Sequence, residues 1–103
     1  RSAAEALAGT WRVDLRPTPD ADAYYKEMVL SLQDGELEGR FYDTPFTGGA
    51  WNDDWGDVRF AFTTGDGTGA YHTSAVLRGD RIEGTTHSVG RGFLSVWTAV
   101  RAP

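Results

Sequence analysis

The sequence predicts an all-β fold, an eight-stranded antiparallel up-and-down barrel with little or no helix. The clearest indication is a repeat, because residues 32–39 read LQDGELEG and residues 77–84 read LRGDRIEG. Each copy places a two-residue turn between alternating apolar and polar residues, which is typical of an antiparallel hairpin. Clusters of Gly, Pro, Asn and Asp then divide the rest of the chain into short segments. Closure into a barrel is favoured because an open sheet would leave two exposed edges.

The elements follow from these turn clusters. Two hairpins pair the second with the third strand and the sixth with the seventh, and a turn at Thr44-Pro45 is expected before the fourth. The connections are too short for parallel crossovers. Residues 1–8, rich in Ala, form an N-terminal arm with at most a marginal helical turn, and residues 9–103 form one barrel domain. The predicted strands are 10–16, 24–33, 36–43, 46–52, 57–64, 69–78, 81–88 and 93–101.

Composition restricts the classes of partner. A chain of 103 residues with 40% apolar content fits one small globular domain. The net charge of −5, with scattered basic residues, argues against nucleic acid and against an anionic membrane surface as partners. No apolar run has the length of a membrane span. The chain contains no cysteine, so the compartment stays open, with export (periplasmic or secreted) preferred over the cytoplasm.

Hairpin register predicts which side chains face the barrel interior. Around the first turn, Met28 opposes Phe41 on the inner face. Around the second turn the inner face changes along the strands, from Leu77 and Ile82 to a group of hydroxyl-bearing residues. This change suits a closed floor and a cavity with hydrogen-bonding groups near one mouth. The alternative is that these hydroxyls bond one another or a buried water.

A candidate ligand site follows from this arrangement. Apolar residues would supply its wall, hydroxyl-bearing residues would orient the ligand, and two indoles would form the mouth. The alternative for the indoles is that Trp51 belongs to the core and Trp55 covers one barrel end. The candidate residues are Met28, Phe41, Phe60 and Phe62 for the wall, Tyr71, Thr73, Thr86 and Ser88 for the hydroxyls, and Trp51 and Trp55 for the mouth.

Evidence for catalysis is sparse. The register that aligns the second hairpin also places His72 directly opposite His87, a pair that would need a third ligand to hold a metal such as Zn²⁺. None is evident, so an exposed histidine pair on the outer face is the preferred interpretation. Turn chemistry accounts for the aspartates. No hydrolase, metalloprotease or phosphate-loop motif is present. We therefore assign no catalytic residue, no metal and no cofactor.

Motifs at the two ends of the barrel resemble those of the calycins, the group that includes lipocalins, fatty-acid-binding proteins and avidins. Gly9-Thr10-Trp11 opens the first strand, and Trp97 and Arg101 lie on the last. The layout is most similar to an avidin-type short barrel. The resemblance implies that Trp11 and Arg101 stack to plug the barrel floor as scaffold residues, with a guanidinium on an indole.

Three functional hypotheses remain. The first is a binding module that takes a small apolar or amphipathic molecule into the barrel. The second is a protein-interaction module, because short barrels of this kind also resemble bacterial metalloprotease inhibitors, which use an N-terminal arm. The third is a cyclase or isomerase that acts by confining its substrate. In addition, both faces of the last strand are apolar, which predicts a homo-oligomer formed through that strand.

Overall fold

The computed structural model describes residues 3–103 and forms a closed barrel of eight antiparallel strands in sequence order. This confirms the predicted fold class. A short 3₁₀ helix, Ala3–Leu7, precedes the barrel. No helix in this part of the chain is long and apolar enough to span a membrane. The strands are β1 Gly9–Asp14, β2 Tyr25–Gln33, β3 Glu36–Phe41, β4 Thr44–Asn52, β5 Val58–Asp66, β6 Gly69–Arg78, β7 Arg81–Ser88 and β8 Phe93–Arg101.

Both predicted hairpin registers are confirmed. Met28 pairs with Phe41 and Leu32 with Leu37 between β2 and β3. Between β6 and β7, Leu77 pairs with Ile82, Thr73 with Thr86 and Tyr71 with Ser88. The two-residue turns fix these pairs because they leave no freedom in the register.

The turn between β3 and β4 lies two residues earlier than predicted. Tyr42 and Asp43 form it with φ values of 51° and 64°, whereas Thr44 and Pro45 already belong to β4. Pairing of Phe41 with Thr44 leaves only these two residues for the turn, and two-residue hairpin turns favour positive φ at both positions. The sequence was misleading because Thr-Pro is the stronger turn signal by composition.

One end of the barrel is closed by the N-terminal 3₁₀ helix. Ala4 and Leu7 are fully buried, and the Trp11 indole N–H donates to the Leu7 carbonyl at 2.8 Å. The Arg101 guanidinium lies 4.2 Å from the centre of the Trp11 ring and donates to the carbonyls of Ala6 and Ala8. Stacking of Arg101 on Trp11 is therefore present, as expected of a barrel floor. Arg1 and Ser2, the start of the predicted arm, lie outside the described residues.

Aromatic side chains fill the middle of the barrel. Phe46 stacks on Phe62 with centroids 4.0 Å apart, and Phe41 contacts both Phe62 and Trp97 at 5.5 Å. Beside them, the Trp97 indole N–H donates to the Thr86 hydroxyl at 3.0 Å, and that hydroxyl is bonded to Thr73 at 2.9 Å. Every described buried side-chain polar atom has a hydrogen-bond partner. These contacts pack the middle of the interior.

Candidate functional site: the cavity at the open end

A cavity of about 280 Å³ lies at the end of the barrel opposite the 3₁₀ helix. The connections β1–β2, β3–β4, β5–β6 and β7–β8 all meet at this end because the strands alternate in direction. Leu15, Phe41 and Phe93 supply apolar wall, and Ser95 and Thr86 lie on the inner faces of β8 and β7. The volume is slightly below the range of roughly 300–1,000 Å³ for drug-sized ligands. The cavity therefore suits a ligand of one or two rings.

Two tyrosines form one side of the rim. The hydroxyls of Tyr24 and Tyr42 are 2.6 Å apart, and their rings meet edge to face with centroids 6.3 Å apart. This hydrogen bond and, second, partial burial raise the pKa of the Tyr42 hydroxyl above its usual value. Tyr42 holds a φ of 51°, which a bulky residue rarely adopts and which costs on the order of 1–3 kcal/mol. The hydrogen bond to Tyr24 holds its side chain at the cavity entrance.

The opposite side of the rim carries a polar network around the β5–β6 turn. Asp66 Oδ1 accepts from the Thr68 backbone N–H at 2.8 Å and from the Thr68 hydroxyl at 2.5 Å. Since that hydroxyl gives its proton to Asp66, the Tyr71 hydroxyl donates to it in turn. Hydrogen bonds from Thr68 hold the pKa of the Asp66 carboxyl below its usual value, with a smaller contribution from the positive charge of Arg91. Asp66 is consequently ionised at neutral pH.

The structure brings three of the ten predicted ligand residues to this cavity: Phe41, Tyr71 and Thr86. It lies at the hydroxyl-bearing end of the second hairpin, where the sequence placed an opening. Met28, Phe60, Phe62 and Thr73 instead fill the packed core, each 4% exposed or less. Ser88 is fully buried, and its hydroxyl accepts from the Arg91 backbone N–H at 3.3 Å. The hydroxyls of Thr73 and Thr86 are hydrogen-bonded to each other. This agrees, for these two residues, with the alternative prediction that the inner hydroxyls bond one another.

The two indoles assigned to the mouth lie at the other end of the barrel. Trp51 is near the end of β4, and its N–H donates to the Gly35 carbonyl of the β2–β3 turn at 2.8 Å. Trp55 follows in the β4–β5 connection and is 80% exposed. Neither lines the cavity. The structure therefore does not bring the two indoles to the rim of this cavity, because strand direction places the end of β4 beside the floor.

The two histidines lie opposite each other, as the register of the second hairpin predicts. His72 pairs with His87 across β6 and β7, both are exposed, and His72 Nδ1 is 3.0 Å from the Thr63 hydroxyl. Among residues 3–103 no group of three or more His, Cys, Asp or Glu side chains is placed to hold a metal ion.

Nine cavity residues were not among the predicted ligand residues. Four of them, Leu15, Tyr24, Tyr42 and Arg91, lie in the connections at this end of the barrel, where the predicted strands wrongly included the first three and Arg91 was treated as a turn residue. The other five are Thr44, Thr64, Asp66, Phe93 and Ser95. A usable signal existed, because in an up-and-down barrel every second connection is at the same end. Large aromatic or charged side chains in those connections are therefore candidates for the rim. No protein-family model, curated protein or solved structure matches the chain.

Proposed function

We propose that this chain is a binding module that takes a small amphipathic molecule into the open end of the barrel. The proposal rests on the cavity. Leu15, Phe41 and Phe93 form its apolar wall, and polar groups surround its rim. Apolar lining with a few convergent polar groups is the usual composition of a small-molecule site. The packed, fully hydrogen-bonded core beneath it gives such a site a rigid base.

A calycin-like, avidin-like barrel remains part of this proposal. Its support is the eight-stranded closed barrel together with the Arg101–Trp11 stack at the floor. The protease-inhibitor alternative is less well supported. It needs an N-terminal arm that projects from the barrel, whereas Ala4 and Leu7 are buried in the floor and Arg101 holds the carbonyls of Ala6 and Ala8. Confinement catalysis would use the same cavity, and no described contact favours it over binding.

Filling the cavity should abolish binding. We expect wild-type protein to bind 3-phenylpropanamide saturably in calorimetric titration, with a dissociation constant on the order of 1 mM or lower for a ligand of this size. Ser95→Phe places a ring in the cavity from the inner face of β8 and should weaken binding at least about 10-fold, with unchanged or higher thermal stability. Thr63→Phe adds similar bulk on the exposed outer face of β5 and should bind as wild type does. Equal binding by Ser95→Phe and wild type would contradict the proposal.

Self-association through the last strand is the second part of the proposal. Leu94 and Val96 are 61% and 65% exposed on the outer face of β8. A shallow depression runs over β4–β8 next to Leu94 and is lined in part by Val96. It includes the small side chains of Ala61, Ser74 and Thr85 and the charged side chains of Arg59 and Glu83. A second copy related by a two-fold axis would seat each apolar ridge in the partner's depression, as an isologous interface requires.

Charge on this ridge should prevent the dimer. Val96→Asp is expected to weaken self-association at least about 10-fold in sedimentation velocity, because an ionised carboxylate would have to be desolvated. Tyr25→Asp, at a residue 52% exposed on β2, is the control and should sediment as wild type. A wild-type chain that stays monomeric at millimolar concentration would rule out this interface.

A further inference from the structure

Arg91 is a cavity-lining cation without a carboxylate partner. Its guanidinium lies 5.3 Å from the centre of the Phe93 ring, and both residues line the cavity. Within residues 3–103 no salt bridge involves Arg91. Its backbone N–H is bonded to Ser88, which fixes the start of the β7–β8 connection and leaves the guanidinium free. Five N–H donors are thus available at the cavity entrance.

Lys26 places a second cation at the same rim. It is two residues before Met28 on β2 and so shares the inner face of the barrel with it. Its Nζ lies 4.9 Å from the ring centre of Tyr42 and 5.7 Å from that of Tyr24, the two tyrosines of the rim. Lys26 likewise takes part in no salt bridge in the described part of the chain. Arg91 and Lys26 thus place two cations outside the described salt bridges at this end of the barrel.

Among the residues that the structure describes, Asp66 is the one carboxylate that lines the cavity, and its oxygen already has hydrogen-bond partners. Its Oδ1 holds the β5–β6 turn through two bonds from Thr68, as aspartates in such turns do. It lies close enough to Arg91 for the two charges to interact, yet the two residues form no ion pair. Its negative charge therefore opposes an anion in the cavity without neutralising the guanidinium.

From this juxtaposition we infer that the cavity binds a small carboxylic acid with an aromatic or other apolar body. Arg91 binds the carboxylate in the bidentate geometry that guanidinium favours, and Lys26, which does not itself line the cavity, adds positive charge from its position over the rings of Tyr24 and Tyr42. Leu15, Phe41 and Phe93 hold the apolar body. This inference deepens the proposed function and depends on it.

Two probes that differ only in the head group isolate the contribution of the carboxylate charge to the affinity. 3-Phenylpropionate and 3-phenylpropanamide share one carbon skeleton and differ in the head group, and 2-phenylethylamine supplies the opposite charge. By calorimetric titration at pH 7 and low salt, wild type should bind the propionate about 10-fold or more tightly than the amide. Arg91→Gln should remove most of that preference, read as the ratio of the two affinities within the same variant, and Arg91→Lys should restore part of it. Added salt should also reduce the preference.

Asp66→Asn should change the affinity for the propionate in the direction opposite to Arg91→Gln. The asparagine Oδ1 can still accept both bonds from Thr68, so the turn is preserved while the negative charge is removed. We expect this variant to bind the propionate a few-fold more tightly than wild type and to raise the ratio of propionate to amide affinity.

The outcomes separate this inference from the function on which it rests. Equal affinity for propionate and amide, both lost in Ser95→Phe, would overturn the carboxylate inference and leave the cavity as the binding site. Preference for 2-phenylethylamine, or weaker propionate binding by Asp66→Asn, would also overturn it. If no probe binds wild type, both the inference and the proposed function fail.

Discussion

Replacing Trp11 with alanine is expected to lower the free energy of unfolding by about 3–5 kcal/mol. The side chain is 1% exposed in the floor, and its indole N–H satisfies the Leu7 carbonyl at the end of the 3₁₀ helix. Its removal leaves a cavity, and it also takes away the surface on which Arg101 stacks. Since a domain of this size is typically stable by roughly 5–15 kcal/mol, the loss is a large share of the total. Urea denaturation followed by circular dichroism measures it.

Two further variants divide this loss into its parts. Trp11→Phe retains a ring for Arg101 and removes the N–H, so it should cost about 1–3 kcal/mol through the unsatisfied Leu7 carbonyl and the lost volume. Arg101→Lys retains the charge and loses the planar fork that bonds the Ala6 and Ala8 carbonyls together. If Trp11→Ala were within 1 kcal/mol of wild type, the floor described here would not be a stabilising element.

Gly84→Ala should be nearly as damaging, although it adds a single methyl group. An added Cβ would stand 2.7 Å from Cε2 and Cη2 of Trp97, which is buried and held by its bond to Thr86. Overpacking of this kind costs about 1–3 kcal/mol, and displacement of the indole from Thr86 would add to it. A fall in melting temperature of about 4–8 °C per kcal/mol is expected in calorimetry.

Gly67→Ala is the matched control for that substitution. Gly67 lies in the β5–β6 turn with no heavy atom within 4 Å of an added Cβ and with an ordinary φ. The free energy of unfolding of the Gly67→Ala variant should be within about 0.5 kcal/mol of that of wild type. Equal stability of the two alanine variants would mean that Trp97 does not pack over Gly84 as described.

The repeat in the sequence explains why the fold was predictable. Residues 32–39 and 77–84 each fix a hairpin register, and the two registers divide most of β2, β3, β6 and β7 into inner and outer faces. The final glycine of each copy lacks room for a side chain, but for different reasons. A Cβ on Gly39 would collide with the Val29 backbone, and one on Gly84 with the Trp97 ring. Val29 lies on β2 of the same hairpin and Trp97 on β8, but neither residue belongs to the repeated segments, so the sequence pattern does not reveal these contacts.

The cavity was less predictable than the barrel because its position depends on how far the core fills the interior. The stacking of Phe46 on Phe62 joins strands β4 and β5 at the centre, and it turns Phe60 and Phe62 from candidate ligand contacts into core. The register of a hairpin predicts whether a residue faces the interior or the exterior of the barrel. It does not predict the position of that residue along the barrel axis relative to residues of other hairpins. The rim residues Tyr42 and Arg91 lie in turns, where a period of two does not apply.

Binding of a small molecule at the open end of the barrel can be followed residue by residue through amide chemical shifts in ¹⁵N-labelled protein titrated with 3-phenylpropanamide. We expect saturable shifts at Tyr24, Tyr42 and Phe93 around the cavity, with little change at Gly35 and Trp51 beside the closed end. Saturable shifts at Gly35 and Trp51 without shifts at the rim, or no shift at any residue up to the solubility limit of the amide, would contradict binding at the open end.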